Sequence, residues 1–553
     1  MGKKGFVLAL AFLIGCSPGI KPEDLRGLGL GDVGDGGHRG PVVAAGEAGP
    51  ARFAAALLAA YDPLRAMRTA AFADRYYREP ANEGFEATLD HVLDELRALG
   101  FGTEERLALE VLETPLRRPA WTPRSASLEL VAGGRAEVLH AFSAPEDRDR
   151  TMLPAGAPEA DVAGPLAFAL DELDAGEVLV TDLPLGAVLE AARSAGAAAV
   201  LSGHLAEFNV DPSGRRRHLD AIHYGSAPGR GTLPVAHVSP RTLERLRRAP
   251  RGTQVRLRAD VALEERVLRT LVATVLGDGL PGQAVALAAH VQEPGAVDNA
   301  SGVAGQLEAV RALVGLLWRE QLEWPARSIV FLWGDEIRMS RVFLDDTDLE
   351  IVAAFSSDMT GASRAATGAL ALLERAPDPG ALRPLPPDEH TAWGATPVEE
   401  SELDRSGISV VARMALVDVG RAAGGWESSE HPWEGGSDHD VFLARGIPAV
   451  LIWHFTDFAY HTSLDRIEHV DPAELERTSV ALLAAALAVA DPRPADLDRY
   501  LESLSLDRRL RQQAARDAGD AELEAAWGEW CVDAQLWLRA LALGLPFDDP
   551  LRR

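Results

Sequence analysis

The chain has 553 residues, 47% of them hydrophobic, more than one core ordinarily organises, so two or three compact units are expected. Its formal net charge is -28 and lysine occurs only at Lys3, Lys4 and Lys21. It therefore lacks the cationic face that collects phosphate backbones, and nucleic acid is not an expected partner.

In chain order, Lys3 and Lys4 precede an apolar run from Phe6 to Ile14 that is too short to span a bilayer and suits a signal peptide over residues 1–15. Leu13-Ile14-Gly15-Cys16 resembles a bacterial lipobox. The resemblance implies cleavage before Cys16 and a lipid anchor on it, with Ser17 pointing to the outer membrane, facing the periplasm or the cell surface. Cys531, the one other cysteine, is left without an intramolecular partner, and no disulfide is expected. Residues 16–50, rich in Gly and Pro without apolar periodicity, read as a flexible tether. From Arg52 to Leu99 the spacing of Leu89, Val92, Leu93 and Leu96 is helical, and Gly100 suits a C-cap. Ser127 to Val131 and Ala136 to Phe142 flank Gly133-Gly134 as a hairpin, closing a first part of the main domain over 51–147.

Residues 148–260 read as an inserted, strand-rich module. Its stretches Gly-Glu-Val-Leu-Val-Thr-Asp (176–182), Ala-Gly-Ala-Ala-Ala-Val-Leu (195–201) and Leu-Pro-Val-Ala-His-Val-Ser (233–239) resemble the protease-associated domain. Over 261–492, strands at Leu271–Leu276, Ala284–Ala289, Ser328–Trp333, Ile351–Phe355 and Ile447–Trp453 alternate with helical segments such as Ser301–Arg319. That alternation predicts an α/β class with a mixed, largely parallel central sheet flanked by helices. The tail over 493–553 is helical by spacing and carries Trp527, Trp530 and Trp537, which suits a packing or dimer element, so the chain reads as monomer or homodimer.

Three of those strands run apolar and then meet a residue able to bind metal: His290, Asp335-Glu336 and Asp358. The carboxyl ends of parallel strands share one edge, where such sheets place ligands. Asp298 on the loop into the Ser301 helix and His461 after Ile447–Trp453 join them there. Two imidazoles with three carboxylates and no thiolate suit a pair of zinc ions that keep room for water.

Ala-Val-Asp-Asn-Ala-Ser-Gly-Val-Ala (296–304), Asp335-Glu336, Ser357-Asp358-Met359, Ser437-Asp438-His439 and Tyr460-His461-Thr462 together resemble the co-catalytic dizinc aminopeptidase family. The resemblance spans residues 50–490 and implies a zinc peptidase fold. By it Asp298 bridges two zinc ions, His290 and Asp358 bind one, and Glu336 and His461 bind the other. It further implies a water activated by two cations that attacks a peptide carbonyl, Asp335 as proton acceptor and Tyr460 as donor to the oxyanion. The expected activity is removal of N-terminal residues from peptides outside the cytoplasm. A metal-site-degenerate binding protein, a glutaminyl cyclase and a dipeptide carboxypeptidase are the alternatives on the same fold. Two departures stand out: family members usually have Glu where Asp335 stands, and Asp where Gln292 stands. Asp438, His439 and Asp465 read as supports, and the module and the loop from Ser363 to Gly424 as walls of the pocket.

Overall fold

The computed structural model describes residues 47–545 apart from 133, 212–214, 228–231 and 385–396, together with 40, 41 and 547. The expected signal peptide, Cys16 and nearly all of the expected tether lie outside the described residues. The first helices follow their capping chemistry. Asp62 accepts from the amides of Leu64 and Arg65, with Pro63 in the first turn of Pro63–Asp74, and Asn82 caps Glu83–Ala98. Leu89, Val92, Leu93 and Leu96 are the buried stripe of that second helix, and Gly100, just past its end, has a positive φ of 99°.

The main sheet has eight strands in the order β1 (Leu107–Pro115), β9 (Val267–Val275), β11 (Ser328–Gly334), β10 (Gln283–His290), β12 (Glu350–Ser357), β15 (Ala449–Phe455), β13 (Leu370–Glu374) and β14 (Ser428–His431). Strands β11, β10, β12 and β15 are mutually parallel, whereas β1 and β9 on one side and β13 against β15 are antiparallel. Both faces are covered, which is why the central strands read as unbroken apolar runs. Val285, Leu287 and Ala289 enter the large core beneath the helices Ala300–Trp318 and Pro472–Ala490, while Ala284, Ala286 and Ala288 face the cluster of Met339, Phe343 and Phe442.

A second, mixed sheet of seven strands runs β3 (Arg135–Phe142), β2 (Ala120–Ala132), β8 (Gln254–Glu264), β4 (Ala160–Ala167), β5 (Val178–Thr181), β6 (Ala199–Ser202) and β7 (Val235–His237), with a core of its own. The hairpin of β2 and β3 belongs here, because β2 pairs along its length with β8. The chain therefore enters this unit between β1 and β2, upstream of the boundary at 148 that the sequence suggests, and leaves it between β8 and β9.

The C-terminal helices Leu497–Asp517 and Ala521–Ala542 pack on the main core, into which Trp527, Trp530 and Trp537 are buried. Among the described residues no helix is long and apolar enough to cross a membrane.

Candidate metal centre

The parallel register of β10, β11, β12 and β15 brings four strand ends to one edge of the sheet. His290 is the last residue of β10, Asp335 and Glu336 follow β11, Asp358 follows β12, and Tyr460 and His461 lie on the loop after β15. Asp298 arrives from the loop before the helix Ala300–Trp318. Its neighbour Asn299 caps that helix by accepting from the Gly302 amide (2.9 Å), accepts from the Met359 amide (3.1 Å), and donates to the Ser357 carbonyl (3.0 Å). One amide side chain thus ties the Asp298 loop to the end of β12.

The two oxygens of Asp298 face two different imidazoles: Oδ1 lies 3.6 Å from His290 Nε2 and Oδ2 lies 3.1 Å from His461 Nε2. Asp358 Oδ1 stands 3.2 Å from His290 Nε2, and Glu293 Oε2 stands 2.7 Å from His461 Nε2. Two groups of potential ligand atoms, each with all members within 4.8 Å of one another, are therefore His290, Asp298, Asp358 and Glu293, Asp298, His461. Four of the five expected ligands are brought together and Asp298 is common to both groups. Glu336 belongs to neither, and Glu293 stands beside His461 where the sequence reading placed Glu336. The reason is local: Glu336 is engaged by Gln292, whose Oε1 accepts the Glu336 amide (2.7 Å) and whose Nε2 donates to Glu336 Oε2 (3.3 Å).

Both groups border a cavity of about 290 Å³ whose lining includes Glu293, Glu336, Tyr460, Phe208, His223 and Trp453. Asp335, expected as the proton acceptor, is not on that lining. Both residues lie in the turn between β11 and the helix Arg338–Asp346, and of the two it is Glu336 that reaches the cavity. Burial pushes the Asp335 carboxyl up to about 7. Tyr460 lines the cavity, with its ring stacked on that of His461 at 3.9 Å. Among the described residues of 363–424 none lines the cavity; they include β13 and the helix Ile408–Ala422.

Around this centre the supports are dense. His290 Nδ1–H donates to the Gln292 carbonyl (3.1 Å), which leaves Nε2 as the ligating atom. Asp465 accepts from the amides of Val297 (2.7 Å) and Asp298 (3.0 Å), so it holds the Asp298 loop and not its own. Gly295 is required there, since a Cβ would fall 2.0 Å from Asp465 Oδ2. Asp438 accepts from the Ile337 amide (2.8 Å) and the Ser340 hydroxyl (2.9 Å), fixing the turn that carries Glu336. Glu374 accepts from Gly435 N and is paired with His439 Nε2 (2.9 Å), placing the Gly435–Ser437 wall. Glu374 also forms a third potential ligand group with His431 and Glu434, but the Trp453 indole donates to His431 Nε2 (2.9 Å) and takes up that lone pair. Of the seven non-glycine residues with positive φ among the described residues, Glu293 (82°), Ile337 (63°), Met359 (49°) and His461 (52°) are all at this edge, where strain is held by the surrounding bonds.

The donor set fits divalent cations. Glu293, Asp298, Glu336 and Asp358 crowd four carboxylates around two imidazoles, and Asp358 Oδ1 is buried with no hydrogen bond. Burial opposes charging either imidazole, yet Asp358 beside His290 and Glu293 beside His461 raise both well above the usual histidine range. Burial and then Glu293 raise Asp298. So much negative charge held in a buried pocket is what a divalent cation neutralises.

Residues 271–486 match the family model described as Peptidase family M28. The fold is similar to that of BSAP, a zinc aminopeptidase from Bacillus subtilis, at 16% identity and a TM-score of 0.51, over 78% of this chain and 96% of that one. It is also similar to a peptidase M28 precursor from Shewanella amazonensis, at 16% identity and a TM-score of 0.53, over 80% of this chain and 97% of that one. No curated protein matches the chain.

Proposed function

We propose, from the match of residues 271–486 to the Peptidase family M28 model, that this chain is a two-zinc exopeptidase removing N-terminal residues from peptides. The observation that carries the reading is Asp298, whose two oxygens address His290 and His461 separately, as a carboxylate shared by two cations must. His290, Asp298 and Asp358 would hold one zinc ion, and Asp298 and His461 with one further carboxylate a second. Bound there, zinc supplies Lewis acidity toward a scissile carbonyl and lowers the pKa of a water.

The chain's own groups supply the rest. Asp298, fixed through Asp465 and Asn299, keeps the two ligand groups in register at no reorganisation cost during reaction. The Tyr460 side chain lines the cavity beside His461, which supports its phenol as the donor to a developing oxyanion. Phe208, Leu451 and Trp453 give the cavity apolar walls, and its volume of about 290 Å³ suits one terminal residue, which favours trimming over internal cleavage. The proton leaving water passes to a carboxylate on the cavity wall and on to the departing amine.

The proposal extends to place. The basic and apolar leader ending at Cys16 supports an enzyme exported to the cell envelope and held there by lipid, acting on peptides outside the cytoplasm. The test is hydrolysis of aminoacyl p-nitroanilides and short peptides by the full chain. Activity should disappear with a chelator, return with zinc, and vanish when the substrate amino terminus is acetylated. A zinc-loaded protein inert toward a broad peptide panel would sink the reading.

A further inference from the structure

Glu293 and Glu336 divide their work in a way that the motif alone does not suggest. We infer that Glu293, with Asp298 and His461, completes the second zinc site, and that Glu336, released from ligation, is the carboxylate that accepts the proton of the attacking water. The inference rests on the two-zinc reading above and deepens it.

Three observations carry it. First, the ligand atoms of Glu293, Asp298 and His461 are close enough together for one cation to draw them around it by small side-chain movements. Ligands at about 2.0–2.2 Å around a tetrahedral zinc ion lie roughly 3.3 Å from one another. Glu293 Oε2 and Asp298 Oδ2 stand 2.7 and 3.1 Å from the same His461 nitrogen, while Glu336 belongs to no group of mutually close ligand atoms. Second, Gln292 engages Glu336 through both halves of its amide, accepting the backbone N–H and donating to Oε2. An acidic side chain at 292 would have no donor to offer and would repel that carboxylate. The amide instead orients Glu336 on the cavity wall, where a proton acceptor belongs. Third, the Glu293 backbone is held at a φ of +82°, with its amide donating to the Arg78 carbonyl (2.9 Å). That left-handed conformation, uncommon for glutamate, turns its side chain toward His461. Asp335 lies off the cavity wall and is left as a structural neighbour.

The step balances without a co-reactant. One water O–H bond breaks and its proton goes to a Glu336 oxygen. The water oxygen bonds to the peptide carbonyl carbon, the C–N bond breaks, and Glu336 returns the proton to the leaving nitrogen, giving a carboxylic acid and an amine.

The test uses the full chain and zinc itself. Zinc content after dialysis against metal-buffered solution, and the stoichiometry of cobalt(II) uptake read from its visible absorption bands, are measured for wild type, E293Q, E293A, E336Q and D335N. Thermal melting of each metal-free form shows that the variants fold. Wild type should hold two ions. E293Q and E293A should keep one and lose the other. E336Q should hold both ions while kcat falls on the order of 10²–10⁴-fold, the usual weight of a general base. D335N should hold both and stay within about tenfold of wild-type kcat. The assignment is overturned if E336Q is the variant that loses an ion, if E293Q retains two and changes only KM, or if D335N shows the large loss in kcat. Wild type that takes up fewer than two ions removes the two-zinc reading itself and this assignment with it.

Discussion

Asp457 is the side chain whose protonation the fold controls most simply. It is fully buried, its Oδ1 accepts from the Ala459 amide (2.7 Å), and its Oδ2 has no hydrogen-bond partner. Burial pushes its carboxyl up to about 6. An acid raised in the folded state binds its proton more tightly there than in the unfolded chain. Its contribution to stability is therefore full below about pH 4 and is lost as pH rises toward 6. The isosteric Asp457→Asn variant should lack this loss. The difference in unfolding free energy between variant and wild type should move in favour of the variant between pH 4 and 7, by up to about 3 kcal/mol. Denaturant unfolding at a series of pH values reads that difference, and parallel curves for the two proteins would refute it. Burial of this kind is invisible along the sequence. The site residues that were legible, His290, Asp298, Asp358 and His461, were so because each follows a strand or opens a helix in a recognisable order. Glu293 was not, because it sits on a loop with no register to mark it and its aim is set by a backbone angle. The available signal was an acidic residue three positions after His290, next to the unusual Gln292.

At the level of elements, the same contrast recurs. The central strands announced themselves as apolar runs, and the helix Glu83–Ala98 by its stripe. Strand β14 did not: its four residues, Ser428 to His431, are polar, yet they are largely buried. Chemistry explains it. Glu430 accepts from Arg375, which follows β13, from Arg413 on the helix Ile408–Ala422, and from Arg511 on the helix Leu497–Asp517. A single carboxylate thus fastens a sheet edge to two helices, and a hydrophobic pattern cannot reveal that. Removing it leaves buried guanidinium groups short of negative charge. Glu430→Gln should cost about 3–5 kcal/mol of stability, far more than breaking an exposed ion pair. Urea unfolding followed by circular dichroism measures this; a loss under about 1 kcal/mol would show that Asp378 and Asp507, which also contact these arginines, suffice.

Across the whole molecule, the second sheet is part of the metal centre's frame. Asn209, between β6 and β7, donates from Nδ2 to the carbonyls of Phe458 (3.1 Å) and Tyr460 (2.7 Å), and the Tyr224 amide donates to the His461 carbonyl (2.7 Å). Ser463 N donates to the Ile222 carbonyl, and Phe208 and His223 complete the cavity wall. The loop bearing His461 is thus gripped from outside the sheet that carries the other ligands. Truncating Asn209 to alanine strands two carbonyls in a largely buried setting, which costs about 1–3 kcal/mol. Its more specific effect falls on the metal. His461 would lose its positioning while His290 and Asp358, on strand ends of the main sheet, keep theirs. Asn209→Ala should therefore weaken the second zinc ion by about 10–100-fold, the usual range for losing an outer support, and leave the first unchanged. Zinc titration with a competing chelator resolves the two affinities. Arg256→Ala serves as the comparison, since it breaks only an exposed pair with Asp161 on the same sheet and should alter neither zinc affinity nor stability by more than about 1 kcal/mol. Equal loss at both sites in Asn209→Ala would mean that the second unit supports the fold generally, and no loss at either would mean that the His461 loop holds itself.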